Sequence, residues 1–339
     1  MRRTIGMLAA VLLTAVSTNT FAAGQKLTVV TSEGLQSITL YIARMQGYFE
    51  QEGLDLDFVN LSSGTAQTAA LVSGSADLLP SSFVNIIRSR AAGAELIAFA
   101  MLLEQYPLNI VLSNEAIAKS GITPTMAIDD KVKRLKGLNI GISGPGSSTD
   151  QFARSLFMAR GIDPETYISL QPIGDGPTTW AAFQKKIMDG FSNTAPWIEL
   201  AQSAKLGQPV IDPFTGEVPE LKDVPYLAMA VGKKTLAERP QIVLAASRAL
   251  TRALRFAQSN PQDVRKVRQF FPALQEDAFN LAVDKYRGAM PKSLAITPQQ
   301  MEKTLAWMNL GVKNPTVLKY EDMVTTGPAL QADAAIPKQ

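Results

Sequence analysis

Leu27-Thr-Val-Val-Thr-Ser-Glu-Gly-Leu-Gln-Ser37 opens the part of the sequence that decides the fold, an apolar run followed by a polar loop. Apolar residues then recur at helical spacing from Ile38 to about Gln51, which predicts a helix. Leu54-Asp-Leu-Asp-Phe-Val59 alternates as a strand does, a second helix is expected from Gly64 to Gly74, and Ala76-Asp-Leu-Leu79 is a short strand. Alternating strands and helices predict a mainly parallel sheet flanked by helices, with ligands bound at the carboxyl ends of the strands.

A second series of the same kind lies between two further strand patterns, near 108–112 and 226–231. It begins with the strand Leu138-Asn-Ile-Gly-Ile142, continues through helices and a strand, and reaches a short strand at Asp189-Gly-Phe191. From Arg239 onward the apolar spacing becomes helical. This order predicts a chain that leaves a first lobe, builds a second lobe and returns.

The composition excludes several classes of function. The 339-residue chain contains no histidine and no cysteine. Ser-His-Asp and Cys-His catalysis, and zinc sites built on His or Cys, are therefore impossible. We predict no catalytic residues, no metal and no cofactor. The formal net charge of +3, without a cluster of Lys and Arg, also argues against a nucleic acid as partner.

Residues 1–22 have the pattern of a secretory signal peptide. A positively charged start precedes the apolar run Met7–Val16, and Thr20-Phe-Ala22 fits a cleavage site. We therefore expect an exported, periplasmic protein that is cleaved near Ala22. We also expect a monomer. The last residues, 331–339, are expected to form a flexible tail.

Polar loops at the ends of the predicted strands are the candidate ligand site. Ser143-Gly-Pro-Gly-Ser-Ser-Thr-Asp150 follows a strand and opens a helix, so its backbone N–H groups and hydroxyls suit an oxyanion. It is not a Walker A loop, because no Lys follows at the required offset. The alternative is a plain turn capped by Ser148 or Thr149. The matching loop of the first lobe ends at Ser37, a candidate N-cap. The predicted ligand contacts are Ser32, Glu33, Gly34, Gln36, Ser37, Gly64, Thr65, Ser81, Ser82, Tyr106, Ser143, Gly146, Ser147, Ser148, Thr149, Asn193 and Thr194.

Charge in these loops constrains the ligand. None of them contains Lys or Arg, and Arg44 and Arg88 fall on predicted helices, where we expect them to face solvent. Glu33 would repel a simple anion. Either Glu33 points to solvent, or the ligand offers a hydrogen-bond donor as well as an acceptor.

Aromatic residues offer a second type of contact. Tyr106, Trp180 and Trp197 are able to stack on a planar ligand. Burial in the core is the more usual place for such rings, and we expect Trp307 to be buried in a C-terminal helix.

Two segments carry a family resemblance. Tyr41-Ile-Ala-Arg-Met-Gln-Gly-Tyr-Phe-Glu-Gln-Glu-Gly-Leu-Asp-Leu56 and Ala70-Leu-Val-Ser-Gly-Ser-Ala-Asp77 resemble the nitrate/sulfonate/taurine-type substrate-binding proteins of ABC importers, in the thiamin-pyrimidine-synthase-like superfamily. The resemblance implies the two-lobed, type II-like α/β fold of periplasmic binding proteins. Each lobe would be a mainly parallel sheet flanked by helices, with two crossing hinge strands. The expected lobes are 23–112 plus 227–330, and 113–226.

The same resemblance implies a function. It is that of an extracytoplasmic solute-binding protein that captures a small organic molecule, such as a sulfonate, a carboxylate or a pyrimidine-like compound, in a cleft between the lobes. The partners would be an ABC permease and its ATPase. One alternative is a ligand-sensing domain for a membrane receptor. A pyrimidine-synthase-like enzyme is disfavoured, since those enzymes use a Cys-rich motif and a His. A LysR-type effector domain is disfavoured because it would need a DNA-binding helix-turn-helix at the start.

Overall fold

The computed structural model describes residues 24–32, 34–61, 64–272 and 274–337, so the predicted signal peptide and Glu33 lie outside the described residues. The strands are β1 (Gln25–Thr31), β2 (Leu54–Asn60), β3 (Leu78–Ser82), β4 (Leu96–Leu103), β5 (Asn109–Ser113), β6 (Asn139–Ile142), β7 (Ser169–Pro172), β8 (Gly190–Asn193), β9 (Gly207–Ile211) and β10 (Leu227–Gly232). The helices are α1 (Ile38–Met45), α2 (Tyr48–Gln51), α3 (Gly64–Ser73), α4 (Phe83–Ala91), α5 (Asn114–Ser120), α6 (Ile128–Arg134), α7 (Ser148–Met158), α8 (Pro164–Tyr167), α9 (Gly176–Gln184), α10 (Trp197–Ser203), α11 (Lys233–Glu238), α12 (Pro240–Ser259), α13 (Glu276–Gly288), α14 (Pro298–Met308) and α15 (Gly327–Ala335).

Two five-stranded sheets share one strand order. The first sheet runs β2-β1-β3-β10-β4 and the second β7-β6-β8-β5-β9. In each sheet a single strand, β10 or β5, is antiparallel to both of its neighbours. That strand is the first one formed after the chain crosses from the other lobe. The predicted two-lobed α/β fold is confirmed, although both sheets are mixed, because the crossing strand enters in the opposite direction.

The pairing of β5 moves one lobe boundary. We expected 109–112 in the first lobe, but β5 pairs with β8 and β9 of the second sheet. The chain therefore crosses at 104–108 and returns through 212–226. A buried apolar strand suits either sheet by its sequence, so only the pairing decides its lobe.

Several local predictions are corrected. The helix expected from Ile38 to Gln51 is broken at Gly47, whose φ of 64° lies in the left-handed region that favours glycine. Strand β3 extends past Leu79 to Ser82, because β10 pairs with it along that whole length. Strand β9 and helix α10 were not predicted.

Helices in the C-terminal part complete the first lobe. The helix predicted near 261–270 is a 3₁₀ helix, Asp263–Phe270, whereas the cap predicted at Thr297 is confirmed as a capping box with Gln300. Helix α15 packs against α12 and runs to Ala335, so most of the expected tail is helical. Within the described ranges, no helix is long and apolar enough to cross a bilayer.

Candidate functional site

A small polar cavity lies between the two sheets, at the carboxyl ends of β1, β2 and β3 on one side and β6, β7 and β8 on the other. Its volume is ≈ 50 Å³. Since one water molecule needs about 10–15 Å³ of such space, there is room for about three to five water-sized groups. The residues that line it are Ser32, Gln36, Ser37, Gly64, Gln67, Pro80, Ser81, Ser82, Asn85, Leu108, Ser143, Ser147, Ser148, Thr149, Asp175, Asn193, Thr194, Tyr226 and Leu227.

Most of the predicted contacts meet at this cavity. Those that line it are Ser32, Gln36, Ser37, Gly64, Ser81, Ser82, Ser143, Ser147, Ser148, Thr149, Asn193 and Thr194. The predicted contacts Gly34, Thr65, Tyr106 and Gly146 do not line it. The position of Glu33 lies outside the described residues.

These four residues lie in other surroundings. Tyr106 is buried in an aromatic cluster, with its ring 5.1 Å from that of Tyr226 and 6.2 Å from that of Trp307. Thr65 lines an outer groove between α3 and α4. A side chain at Gly34 would collide with the side chain of Gln36.

Gly146, Trp180 and Trp197 also lie outside the lining of the cavity. The N–H group of Gly146 donates to Asp150 over 2.7 Å, which closes the turn before α7. Trp180 is half-buried with its ring 6.2 Å from that of Phe183, and Trp197 is buried; neither lines the cavity.

The cap of α7 is one residue earlier than predicted. The Ser147 hydroxyl accepts a hydrogen bond from the Asp150 N–H group at 3.3 Å, whereas Thr149 accepts from the Ser143 N–H group at 2.9 Å. Ser148 is free of capping and its hydroxyl lies 3.2 Å from that of Tyr226, across the cleft. Burial raises the pKa of the Tyr226 hydroxyl well above its usual value, so this group stays neutral.

Three helices direct their N-termini at the cavity. Ser82 caps α4, Ser147 caps α7, and Asp175 caps α9 by accepting from Gly176 over 3.0 Å. Ser37 makes no side-chain cap, contrary to prediction, because the 3₁₀ helix Leu35–Ser37 leads directly into α1. Helix N-termini carry partial positive charge and N–H groups, both of which favour an anionic group.

Two amide side chains leave an atom for a ligand. Asn193 is 5% exposed, and its Oδ1 accepts from the Thr194 N–H group at 2.8 Å, which fixes the orientation of the amide. Its Nδ2 has no hydrogen-bond partner among the described residues, and the same is true of Asn85 Oδ1. The second lobe thus offers a buried donor and the first lobe a buried acceptor. Leaving such groups unpaired costs about 1–3 kcal/mol each, which a ligand would offset.

The described lining contains a carboxylate that was not predicted from the sequence. Among the described residues, the lining contains the carboxylate of Asp175 and no Lys or Arg. Sequence reasoning missed Asp175, Asn85, Gln67 and Tyr226. Only Asp175 carried a usable signal, because an Asp before Gly176-Pro177 is an N-cap pattern at a strand end. Within the described part of the chain, no group of three acidic residues is placed to hold a metal ion.

Backbone and side-chain hydrogen bonds join the lobes beside the cavity. The Leu35 N–H group donates to the Ala195 carbonyl at 3.0 Å, and the Thr194 hydroxyl donates to Gln36 Oε1 at 2.9 Å. The hydroxyl of Tyr286, on α13, accepts from the Ala195 N–H group at 3.0 Å. The loop that carries Asn193 is therefore held by the first lobe in this closed arrangement.

Arg88 forms a further connection, contrary to the prediction that it faces solvent. Its Nη1 donates to the Gly146 carbonyl at 3.1 Å and to Gln151 Oε1 at 3.0 Å, both on the second lobe. Arg44 is exposed, as predicted. The local sequence could not separate the two, since both are arginines on amphipathic helices.

The sequence was compared with known families. The model of the NMT1-like family matches residues 24–270. The chain belongs to this family. A comparison of sequences with curated proteins found no significant match.

Solved structures share the fold of this NMT1-like protein at low sequence identity. A protein from Bordetella bronchiseptica RB50 has a TM-score of 0.79 at 20% identity, covering 93% of this chain and 98% of its own. The ligand-binding component of an ABC-type import system from Staphylococcus aureus, with zinc bound, has 0.71 at 14%, covering 91% and 99%. The periplasmic nitrate-binding protein NrtA from Synechocystis PCC 6803 has 0.70 at 14%, covering 92% and 89%.

An enzyme shares the architecture as well. The desulfurization enzyme DSZB has a TM-score of 0.61 at 14% identity, covering 91% of this chain and 99% of its own. Likeness at this level of identity establishes the fold, so the function must be argued from the site.

Proposed function

We propose that this NMT1-like protein captures a small polar solute between its two lobes and delivers it to the permease and ATPase of an ABC import system. The periplasm is the proposed location, as the predicted signal peptide implies. The observation that carries the proposal is the buried Asn193 Nδ2, which has no partner among the described residues and belongs to a cavity built from both lobes. A site divided in this way binds its ligand fully only when the lobes are closed, so ligand favours the closed form.

The lining supports a ligand of mixed hydrogen-bonding character. Helix N-termini, Ser hydroxyls and Asn193 Nδ2 supply donors for an oxyanion or a carbonyl group. Asp175 and Asn85 Oδ1 supply acceptors for an amine, a hydroxyl or a ring N–H. We infer a small zwitterion, a neutral heterocycle or an oxyanion that also carries a hydrogen-bond donor, since Asp175 would repel a simple anion.

Binding without catalysis is the proposed role, although DSZB shows that the architecture accepts an enzyme. The sequence contains no His and no Cys, so common nucleophile–base pairs cannot be assembled in it. The serines of the cavity make caps and hydrogen bonds to neighbouring hydroxyl and backbone N–H groups, and Asp175, the carboxylate of the described lining, caps α9.

The first experiment identifies the solute. Mass spectrometry of small molecules released from freshly purified protein is combined with a thermal-shift screen of sulfonates, carboxylates, nitrate, amino acids and pyrimidines. A true ligand at 100 times its Kd stabilises the protein by about 2.7 kcal/mol. Asn193→Leu should lower affinity for that ligand at least tenfold. Because it also removes the acceptor of the buried Thr194 N–H group, it should lower the melting temperature without ligand, so affinity is measured well below the unfolding transition. Unaltered affinity in this variant would remove the cavity as the site.

A second experiment establishes the charge of the ligand. Asp175→Asn keeps an N-cap residue for α9 and removes the negative charge. Affinity for a simple anion should rise in this variant, and affinity for a ligand that donates to Asp175 should fall. The matched control is Asp163→Asn, since Asp163 caps α8 in the same manner and does not line the cavity. A fall in affinity supports the mixed ligand, and a rise contradicts it.

A further inference from the structure

An ionisable group is buried where the lobes meet outside the cavity. Glu199 lies in the first turn of α10 on the second lobe, shortly after the loop that carries Asn193. Helix α10 packs against α13, which belongs to the first lobe. Glu199 is 8% exposed, and its Oε2 has no hydrogen-bond partner among the described residues. A buried carboxylate of this kind is costly when ionised.

The charged groups around Glu199 do not neutralise it. Lys285 on α13 attracts the charge of Glu199, but Lys285 Nζ is already paired with Asp212 Oδ2 at 2.6 Å. Asp212 itself is a like charge. The hydroxyl of Tyr286, also on α13, is neutral, since burial raises its pKa well above the usual value. Burial raises the pKa of Glu199 to about 7, an increase that Asp212 adds to and that its own backbone N–H group and Lys285 oppose.

We propose that closure of the cleft is coupled to the uptake of a proton by Glu199, which makes capture of the solute sensitive to pH. This rests on the proposed function, because it requires the lobes to open and close. In the open form α10 and α13 separate and the carboxyl group meets water.

The direction follows from the two protonation equilibria. In the open form the pKa returns toward the ordinary value of 4.5, below that of the closed form, so closure takes up a proton between the two. The ratio of closed to open protein is highest below pH 4.5. It falls as pH rises toward 7, by up to about tenfold per pH unit. Above that pH the closed form holds a buried charge, and the ratio becomes constant.

Closure can be followed without knowing the solute. Because the sequence has no Cys, Val72→Cys and Ile187→Cys provide unique sites for spin labels on the first and second lobes. Both residues are exposed. Val72 lies near the end of α3, whose first residue Gly64 lines the cavity, and Ile187 follows α9, whose N-cap Asp175 lines it, so opening changes their separation. Pulsed electron–electron double resonance measures the distance between the two labels from pH 5.5 to 8.5 in the absence of added solute. The ratio of short to long distances gives the ratio of closed to open protein.

The proposal predicts different behaviour for three proteins in this labelled background. In the protein that keeps Glu199, the ratio of closed to open molecules should fall at least tenfold between pH 5.5 and 8.5. With Glu199→Gln, which stays neutral, the closed fraction should remain high and independent of pH. Glu302→Gln, at an exposed position, should behave as Glu199 does in the unaltered chain. A constant distance distribution in the Glu199 protein, or an unchanged titration in Glu199→Gln, would overturn the proposal.

Failure here is distinct from failure of the proposed function. If the lobes open and close but the ratio of closed to open protein does not depend on pH, the thermal-shift screen still tests solute binding. If no solute binds yet the Glu199-dependent titration is present, the coupling stands and the transport role falls.

Discussion

The two sheets have the same strand order, yet their edges are finished differently. Strand β4 closes one edge of the first sheet and is buried along its whole length. Its outer backbone groups are used by the C-terminal part of the chain: Ala98 exchanges hydrogen bonds with Met323 and Thr325, and the Met101 N–H group donates to the Leu294 carbonyl. Strand β7, at an edge of the second sheet, is half-buried to exposed.

This difference indicates that the two sheet edges contribute unequally to stability. Covered edges are protected from pairing with other chains and from local opening. The C-terminal part of the chain therefore stabilises the β4 edge of the first sheet, whereas β7 is more exposed. The lobes meet through hydrogen bonds such as that of Leu35 with Ala195, and through packing of α13 against α10 and of α14 against α7.

The largest expected effect tests how much the β4 edge contributes to stability. Leu102→Ala in β4 should lower the free energy of unfolding by about 2–5 kcal/mol, because Leu102 is fully buried and its removal leaves a cavity. Leu170→Ala in β7 is the matched change at a half-buried position and should cost about 1 kcal/mol. Urea denaturation followed by circular dichroism measures both. Equal losses would show that the two edges are equally important to stability.

A smaller effect tests the connection between the lobes. Tyr286→Phe removes the acceptor of the buried Ala195 N–H group, which costs about 1–3 kcal/mol in the closed form and should weaken solute binding about tenfold. Tyr320→Phe is the control, since the Tyr320 hydroxyl donates to Ile296 within the first lobe. Calorimetric titration with the solute found in the screen should show a loss for Tyr286→Phe alone. A similar loss in both variants would point to a general loss of stability.

The smallest effect concerns the half-buried link made by Arg88. Arg88→Ala removes two hydrogen bonds to the second lobe, and solvent near the side chain limits the effect to about 1 kcal/mol or roughly threefold to tenfold in affinity. Arg90→Ala breaks an ion pair with Glu95 inside the first lobe and should leave affinity unchanged. Equal affinities for the solute in the two variants would mean that Arg88 does not stabilise closure.

Sequence reasoning reached much of the site because helix starts carry a local signature. The Ser143–Thr149 loop and the Asn193-Thr194 pair were predicted from strand ends, and they line the cavity. Asp175, the carboxylate of the described lining, was not predicted, and the prediction for Glu33 falls outside the described residues. The cap of α7 was displaced by one residue, since Ser147, Ser148 and Thr149 are interchangeable as caps by type.

The sequence by itself determined the alternation of strands and helices, the helix-capping loops and the lack of His and Cys, because periodicity and composition are local properties. Only the tertiary structure decided which sheet receives β5, which amide atoms stay unpaired, and that Arg88 and Glu199 lie where the lobes meet. Those outcomes depend on contacts such as that of Gln36 with Thr194, which are 158 residues apart in the chain. No local pattern records such a contact, since its free energy depends on how both lobes pack.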